Sequence, residues 1–164
     1  MAADIATTKA LLADLVGFDT TSHKSNIAII EYIEAYLARH GVTSARVPTA
    51  DGLKASLFAT IGPVDVPGIA LSGHTDVVPV TGQAWDTDPF KLVERDGRLY
   101  GRGACDMKAF LACMLAIVPQ LKARALKVPI HLAFSYDEEV GCTGVRPMVA
   151  ELGKSLPLPR MVLV

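Results

Sequence analysis

Histidine and carboxylate side chains occur together at three places in the sequence, each directly after a predicted strand or hairpin. His74 and Asp76 follow the apolar run 68–72, Asp106 follows a Gly-Arg-Gly loop, and Glu138-Glu139 follow the apolar run 129–135. Imidazole nitrogens and carboxylate oxygens are common metal ligands, and a carboxylate held off the metal can serve as a general base. Metal-assisted hydrolysis is one chemistry for which this set of residue types is suited.

Each of the three places also has a structural explanation when it is taken alone. A spacing of two puts His74 and Asp76 on one face of an extended chain, so the carboxylate can orient a metal-bound imidazole or merely satisfy a loop histidine. Asp106 can be a metal ligand or the N-cap of the apolar helix that follows it. Glu138 and Glu139 can divide into a ligand and a base, or form a solvated turn.

The remaining candidate residues are assigned structural or surface roles. Cys105 and Cys142 flank the acidic motifs without a CxxC spacing and are expected to be small buried side chains. Structural or surface roles are predicted for three histidines, His23, His40 and His131. Three basic residues could meet a substrate carboxylate but are predicted to be surface charges, namely Arg102, Lys108 and Arg146. The loop around Arg102 matches neither the GxGxxG nor the P-loop pattern, so nucleotide binding is not expected.

The elements that position these residues follow from hydrophobic periodicity and turn signals. Helices are predicted over 4–17, from Ser25 or Asn26 to Gly41, over 107–121 and over 143–152; strands are predicted over 42–47, 54–61, 68–73, 129–135 and 161–164, with a hairpin over 91–100. This order predicts an α/β domain of three layers, with a mainly parallel sheet and helices on both faces. Ligands bind such sheets beyond the carboxyl ends of the strands, where the three clusters fall.

Composition bounds the class of protein. The 164 residues are 51% hydrophobic and 20% charged, with a net charge of −1, which fits one compact domain and excludes a disordered or collagen-like chain. Without a basic excess, no nucleic-acid partner is expected.

The uncharged run Ala109–Leu121 is shorter than the roughly 20 residues of a membrane span and predicts a buried helix. The N-terminal segment has Asp4 and no basic stretch, and the three cysteines lack CxxC spacing, so a cytoplasmic protein without a signal peptide is expected.

Four segments, in this order, resemble the dinuclear-zinc family of aminoacylases, carboxypeptidases and deacylases. They are SGHTDVVP (72–79), WDTDPF (85–90), GRGACDMK (101–108) and DEEVG (137–141). Within that family, FDTTS (18–22) and AFSYDEEVGC (133–142) are most similar to the acetylornithine deacetylases. The resemblance implies that residues 1–164 are the N-terminal part of a zinc-peptidase-like catalytic domain without the family's dimerisation domain.

The resemblance also implies a role for each site residue. His74 would bind one metal ion, Asp106 would bridge two, Glu139 would bind the second, Glu138 would be the general base and Asp76 would orient His74. The Asp106–Met107 peptide bond is expected to be cis. Two divalent ions are implied, zinc with cobalt as the alternative.

The implied reaction is hydrolysis of N-acetyl-L-ornithine to ornithine and acetate in arginine biosynthesis. A related deacylase, such as a succinyl-diaminopimelate desuccinylase or an aminoacylase, and a non-catalytic binding module are the alternatives. Each ion would have only two ligands within this chain, whereas catalytic zinc usually has three. The family supplies further ligands beyond the position of Val164, so the chain by itself is expected to bind metal weakly and turn over little, and the full-length protein is expected to be a homodimer.

Overall fold

In the computed structural model, residues 4–164 are described, and they form five α-helices and seven strands. The helices are α1 (Ile5–Val16), α2 (Ile27–Arg39), α3 (Ala109–Ala116), α4 (Val118–Lys122) and α5 (Val145–Glu151). The strands are β1 (Ser44–Pro48), β2 (Ala55–Ile61), β3 (Ile69–His74), β4 (Val93–Arg95), β5 (Arg98–Tyr100), β6 (Ile130–Ser135) and β7 (Met161–Leu163). The N-terminal segment is predicted to hold no signal peptide, and its residues 1–3 lie outside the described residues.

The first two helices form where capping residues and apolar spacing place them. The Asp4 side chain accepts hydrogen bonds from the amides of Ala6 and Thr7 and so caps α1. Before α2, the Ser25 hydroxyl accepts from the amide of Ile27, and after it Gly41 has φ +66°, a conformation that glycine adopts without strain. The buried faces of the two helices are Leu11, Leu12, Leu15 and Val16, and Ile29, Ile30, Ile33, Tyr36 and Leu37.

The main sheet has the strand order β1-β2-β6-β3-β7. β3 lies parallel to both β6 and β7, whereas the β1–β2 and β2–β6 pairings are antiparallel. The α/β class is therefore confirmed, but the sheet is mixed, and the prediction of a mainly parallel sheet holds only for its β6-β3-β7 half. The β1–β2 pairing has a local reason, because a short turn joins the two strands and such a turn connects antiparallel neighbours. The β2–β6 pairing joins strands that are distant in the sequence and has no such local signal.

Helices cover both faces of this sheet, as predicted. On β2, Leu57, Ala59 and Ile61 point into the large core formed with α1, α2 and α3. Phe58, which points the other way, packs with Met148 of α5. The alternation along a single strand thus builds two cores, one on each face.

The apolar helix of the sequence is shorter than predicted. The segment Ala104–Lys122 has 19 residues and a mean hydropathy of 1.5, which by length and composition alone would suffice to cross a membrane. Buried core helices can have the same length and hydropathy. In α3, Leu111, Met114 and Leu115 are buried in the large core. The helix begins only at Ala109, because Asp106 has a non-helical backbone.

The predicted hairpin is present and forms a separate two-stranded sheet. Strands β4 and β5 pair antiparallel on either side of Asp96 and Gly97, whose φ angles are +54° and +70°. Positive φ at both central residues is the signature of the tight turn that Asp-Gly favours.

Candidate metal centre

The parallel half of the sheet brings two of the three polar clusters to one edge. In the β3–β6 ladder, His74 at the end of β3 is the register partner of Ser135 at the end of β6. The loops that carry Asp76 and Glu138 therefore leave the sheet side by side. This arrangement follows directly from the parallel pairing of two buried strands.

The third cluster reaches the same place through a wide helical turn over Ala104–Lys108 that precedes α3. Asp106 and Met107 have non-helical backbone angles inside this turn, and the peptide bond between them is cis, as the family resemblance implied. Gly73 permits the close approach, since a Cβ on it would lie 2.6 Å from Leu111 Cδ2 and 3.1 Å from Met107 Cε. A side chain at position 73 would require the side chains of Leu111 and Met107 to shift.

The three residues predicted to ligate metal lie together. One ligand atom from each of His74, Asp106 and Glu139 lies within 4.8 Å of the other two. His74 Nε2 is 3.1 Å from Asp106 Oδ1, and the imidazole is buried whereas the Asp106 side chain is 74% exposed. The cluster therefore has one fixed nitrogen donor at its base and carboxylate oxygens facing solvent.

Asp76 supports this cluster through Nδ1 of His74 and through the backbone amides of Glu138 and Glu139. His74 Nδ1 lies 3.0 Å from the Asp76 carbonyl oxygen and 3.4 Å from its carboxylate Oδ1. The same carboxylate accepts hydrogen bonds from the Ser22 hydroxyl at 2.7 Å, from the Glu138 amide at 3.1 Å and from the Glu139 amide at 3.3 Å. With Nδ1 engaged in this way, Nε2 is the nitrogen that faces the cluster.

Glu138 lies next to the cluster but points differently from its neighbour. Its Oε2 is 3.8 Å from His74 Nε2, and its side chain is 45% exposed. It lines a cavity of about 190 Å³ together with Gly73, His74, Met107, Tyr136 and Cys142. A carboxylate in this position can reach a water molecule or a leaving group in the cavity.

The electrostatics of the cluster favour a cation. Burial raises the pKa of Glu139, and the negative charge of Asp106 raises it further. Burial alone would lower the pKa of His74, but the hydrogen bond and charge of Asp76, together with Asp106, raise it to about 9. Several carboxylates thus lie near the imidazole of His74 and favour its protonated form. One nitrogen with carboxylate oxygens is also a donor set that fits Zn²⁺ or a similar divalent ion.

Two predictions about other residues are wrong. Lys108 is fully buried rather than a surface charge, and its Nζ donates to the Phe18 carbonyl oxygen at 2.7 Å. Burial lowers the pKa of this amine to about 8. Cys105, in the turn before α3, and Cys142, in the loop after β6, are exposed rather than buried, and the Cys142 thiol donates to Glu138 at 3.6 Å.

Sequence reasoning also missed residues that support the site. Ser22 reaches Asp76 from the segment after α1, and Lys54 at the start of β2 pairs with Asp137 at 2.5 Å. The sequence signal for Ser22 was the polar segment FDTTS (18–22) between two predicted helices, which indicated the family resemblance but did not predict a contact with Asp76.

An α/β sheet with histidine and carboxylates at the carboxyl ends of its parallel strands is the arrangement of a metal-dependent hydrolase domain. The chain belongs to Peptidase family M20/M25/M40, whose sequence profile matches residues 70–162. Members of this family are metal-dependent, which agrees with the cluster of His74, Asp106 and Glu139.

The chain is similar to several curated proteins and solved structures. It is 42% identical to an acetylornithine deacetylase of Myxococcus xanthus over 90% of this chain and 39% of the relative. It is 37% identical to an acetylornithine deacetylase of Pasteurella multocida over 77% of this chain and 33% of the relative.

Solved structures share the fold. Human carnosine dipeptidase 1 superposes with a TM-score of 0.76 at 25% identity, over 94% of this chain and 37% of that one. An M20 family metallo-carboxypeptidase from Sulfolobus solfataricus superposes with a TM-score of 0.79 at 21% identity, over 94% of this chain and 36% of that one. The chain thus spans between about a third and two fifths of the length of these four proteins.

Proposed function

We propose that the protein carrying this chain hydrolyses the amide bond of N-acetyl-L-ornithine, releasing acetate and ornithine, and that it serves arginine biosynthesis. The observation that carries the proposal is the convergence of His74, Asp106 and Glu139 within 4.8 Å beside the cavity that Glu138 lines. Support for the substrate comes from two relatives named acetylornithine deacetylase, which are 42% and 37% identical to this chain.

The metal centre of the proposal has two divalent ions. His74 and Asp106 would hold one ion, and Asp106 and Glu139 the other, with Asp106 shared between them. Zinc is the ion we propose, with cobalt as a chemically similar substitute for the same donors. When bound, such ions lower the pKa of a water molecule and polarise the carbonyl of the scissile amide.

The residues of the chain have distinct parts in the reaction. Glu138 takes a proton from the attacking water and delivers it to the departing δ-nitrogen of ornithine as the C–N bond breaks. Asp76 keeps His74 in the tautomer and orientation that present Nε2 to the cluster. The hydroxyl of water ends on the acetyl carbon and its proton on the amine, so acetate and ornithine account for all atoms.

Two further features of the whole protein belong to the proposal. A homodimer is expected from the family resemblance, and a cytoplasmic location agrees with three cysteines that are all free thiols. Size measurement in solution and localisation of a tagged protein in cells test these two points directly.

The first experiment measures metal binding. Zn²⁺ is titrated against a chromophoric competitor with the native protein that carries these residues and with its His74→Ala variant, and the variant should lose most of the affinity. Equal affinity of the two would place any bound Zn²⁺ elsewhere and contradict the proposed centre.

The second experiment addresses the substrate. The native protein that carries these residues is assayed with N-acetyl-L-ornithine, N-succinyl-diaminopimelate, several N-acetyl amino acids and a dipeptide. We expect N-acetyl-L-ornithine to have the highest kcat/KM. A preference for another compound would assign a related deacylase or peptidase, and no turnover of any of them by the metal-loaded protein would favour a binding module.

A further inference from the structure

A closed ring of hydrogen bonds, one of them an ion pair, lies next to the metal cluster and passes through Asp76. It starts at the Asp76 carboxylate, which accepts the Ser22 hydroxyl at 2.7 Å. The Ser22 carbonyl oxygen in turn accepts from Lys54 Nζ at 2.5 Å. The same ammonium donates to Asp137 Oδ1, also at 2.5 Å.

The ring closes through the backbone that follows Asp137. The next two amides, those of Glu138 and Glu139, donate back to the two oxygens of the Asp76 carboxylate. Four chain segments are joined in this way: the segment after α1, the start of β2, the loop after β3 and the loop after β6. Each of the four segments supplies at least one link of the closed path.

Burial makes these links effective. Ser22 and Asp76 are 7% and 2% exposed, and the side chains of Lys54 and Asp137 are 18% and 16% exposed. The Lys54 ammonium also lies 5.9 Å above the ring of Tyr136, on the residue before Asp137. Hydrogen bonds to charged groups shielded from water hold their geometry more firmly than exposed ion pairs do.

We propose that Ser22 and Lys54 are positioning residues, which act through this ring to hold Glu138 and Glu139 at a fixed place relative to His74. The inference rests on the proposed metal centre. Neither residue touches the cluster, but removing either one opens the ring. The loop that supplies one ligand and the proposed base would then keep its ties to Asp76 and, at Gly144, to Ser56, but its first residues would no longer be held by the complete ring.

The test measures two properties of Ser22→Ala, Lys54→Met and the double variant, each made in the native protein that carries these residues. The first is Zn²⁺ affinity, which should fall about 10–100-fold in each single variant, as is typical when support behind metal ligands is lost. The double variant should be little weaker than either single one, because the ring is already open. The second property needs no metal: hydrogen exchange of the Glu138 and Glu139 amides should become faster in all three variants.

Two matched controls come from the same region. Thr21→Val removes a hydroxyl that donates to Asp19 at 2.7 Å, and Lys24→Met removes an ammonium that pairs with the same Asp19, both outside the ring. Both controls should keep Zn²⁺ affinity and amide exchange within about twofold of the wild type. Ser22→Thr, which keeps a hydroxyl, should restore most of the affinity that Ser22→Ala loses.

Wild-type affinity and amide exchange in both single variants would overturn the inference and leave the metal centre intact. A double variant whose loss equals the product of the single losses would overturn the closed ring. A native protein that binds no Zn²⁺ would contradict the proposed centre and with it this inference. Lys54→Gln provides the same comparison if Lys54→Met does not fold.

Discussion

Asp76 is the residue on which the geometry of the site depends most directly. Its carboxylate contacts the imidazole of His74, the hydroxyl of Ser22 and two backbone amides of the acidic loop. Burial opposes ionisation of this side chain, but the hydrogen bonds from His74 and Ser22 outweigh burial and lower its pKa. A single buried carboxylate thus links both halves of the proposed metal centre.

Asp76→Asn should weaken Zn²⁺ binding about 10–100-fold, because the amide cannot accept on both of its heavy atoms and carries no charge to support the imidazole. Competitive titration of Zn²⁺ measures the change. Asp88→Asn changes an exposed acid whose side chain accepts from the Phe90 amide, and it should leave the affinity unaltered. If Asp76→Asn bound Zn²⁺ as tightly as Asp88→Asn, the proposed support of His74 would be wrong.

Glu138→Gln separates the proposed base from the proposed ligands. In the native protein, kcat should fall about 10²–10⁴-fold because glutamine cannot take a proton from water. Metal content, measured by elemental analysis, should stay at the wild-type level, since Glu138 is not among the three clustered ligands. Unchanged turnover of N-acetyl-L-ornithine would falsify the role of Glu138 as base.

At the scale of elements, the loop between β6 and α5 is fixed at both ends. At its start stands Asp137 with φ +54°, and near its end Gly144 packs directly on the backbone of Tyr136. A Cβ on Gly144 would lie 1.9 Å from the Tyr136 carbonyl oxygen. The Ser56 hydroxyl of β2 also donates to the Gly144 carbonyl at 2.9 Å, so the loop is held against the sheet.

Gly144→Ala should therefore shift the acidic loop and destabilise the chain by about 1–3 kcal/mol or more, the usual range for overpacking. Urea unfolding measures the stability, and Zn²⁺ affinity should fall with it. Gly17→Ala is the comparison variant, because its Cβ would meet the Asp14 carbonyl oxygen at 3.1 Å, a close contact but a much longer one than the 1.9 Å at Gly144, so it should destabilise the chain less. Equal stability of the two variants would contradict the close packing at Gly144.

Elements were predictable where one strand or helix determines the pattern. The ends of β3 and β6 were foreseen from their apolar runs, and with them the meeting of His74 with Glu139. The burial of Lys108 was not foreseen, because its partner, the Phe18 carbonyl, is 90 residues away in sequence. The antiparallel pairing of β2 with β6 was not predicted either, because the two strands are distant in the sequence. Alternation of apolar residues along one strand does not specify which strand pairs with it.

At the scale of the whole molecule, one buried histidine lies away from the metal cluster. His131 of β6 is fully buried, stacks on Phe58 at 5.2 Å and lies 2.9 Å from Thr60 Oγ1 through Nδ1. Among the described residues its Nε2 has no hydrogen-bond partner. Burial lowers the pKa of this imidazole below its ordinary value of 6.5.

This burial gives the stability of the chain a pH dependence of known sign. Below the ordinary pKa, the unfolded chain binds a proton at His131 more readily than the folded chain does, so the free energy of unfolding decreases as the pH falls. Between about pH 7.5 and about pH 5.5, the wild type should lose more stability than His131→Gln, which does not titrate. Urea unfolding at both pH values measures the difference, and identical losses would show that His131 does not contribute.

The separation of the site residues along the chain has a consequence for the order of folding. The turn between β1 and β2 is short, whereas the contact of His74 with Asp106 spans 32 residues and that of Asp76 with Glu138 spans 62. Long loops close late because their entropy must be lost before their contacts form. The β1–β2 hairpin is therefore available early during synthesis, whereas a site for the ion is completed only after β6 has joined β3. An ion captured by the finished site acts on the unfolding rate of this chain and leaves the early steps of its folding unaffected.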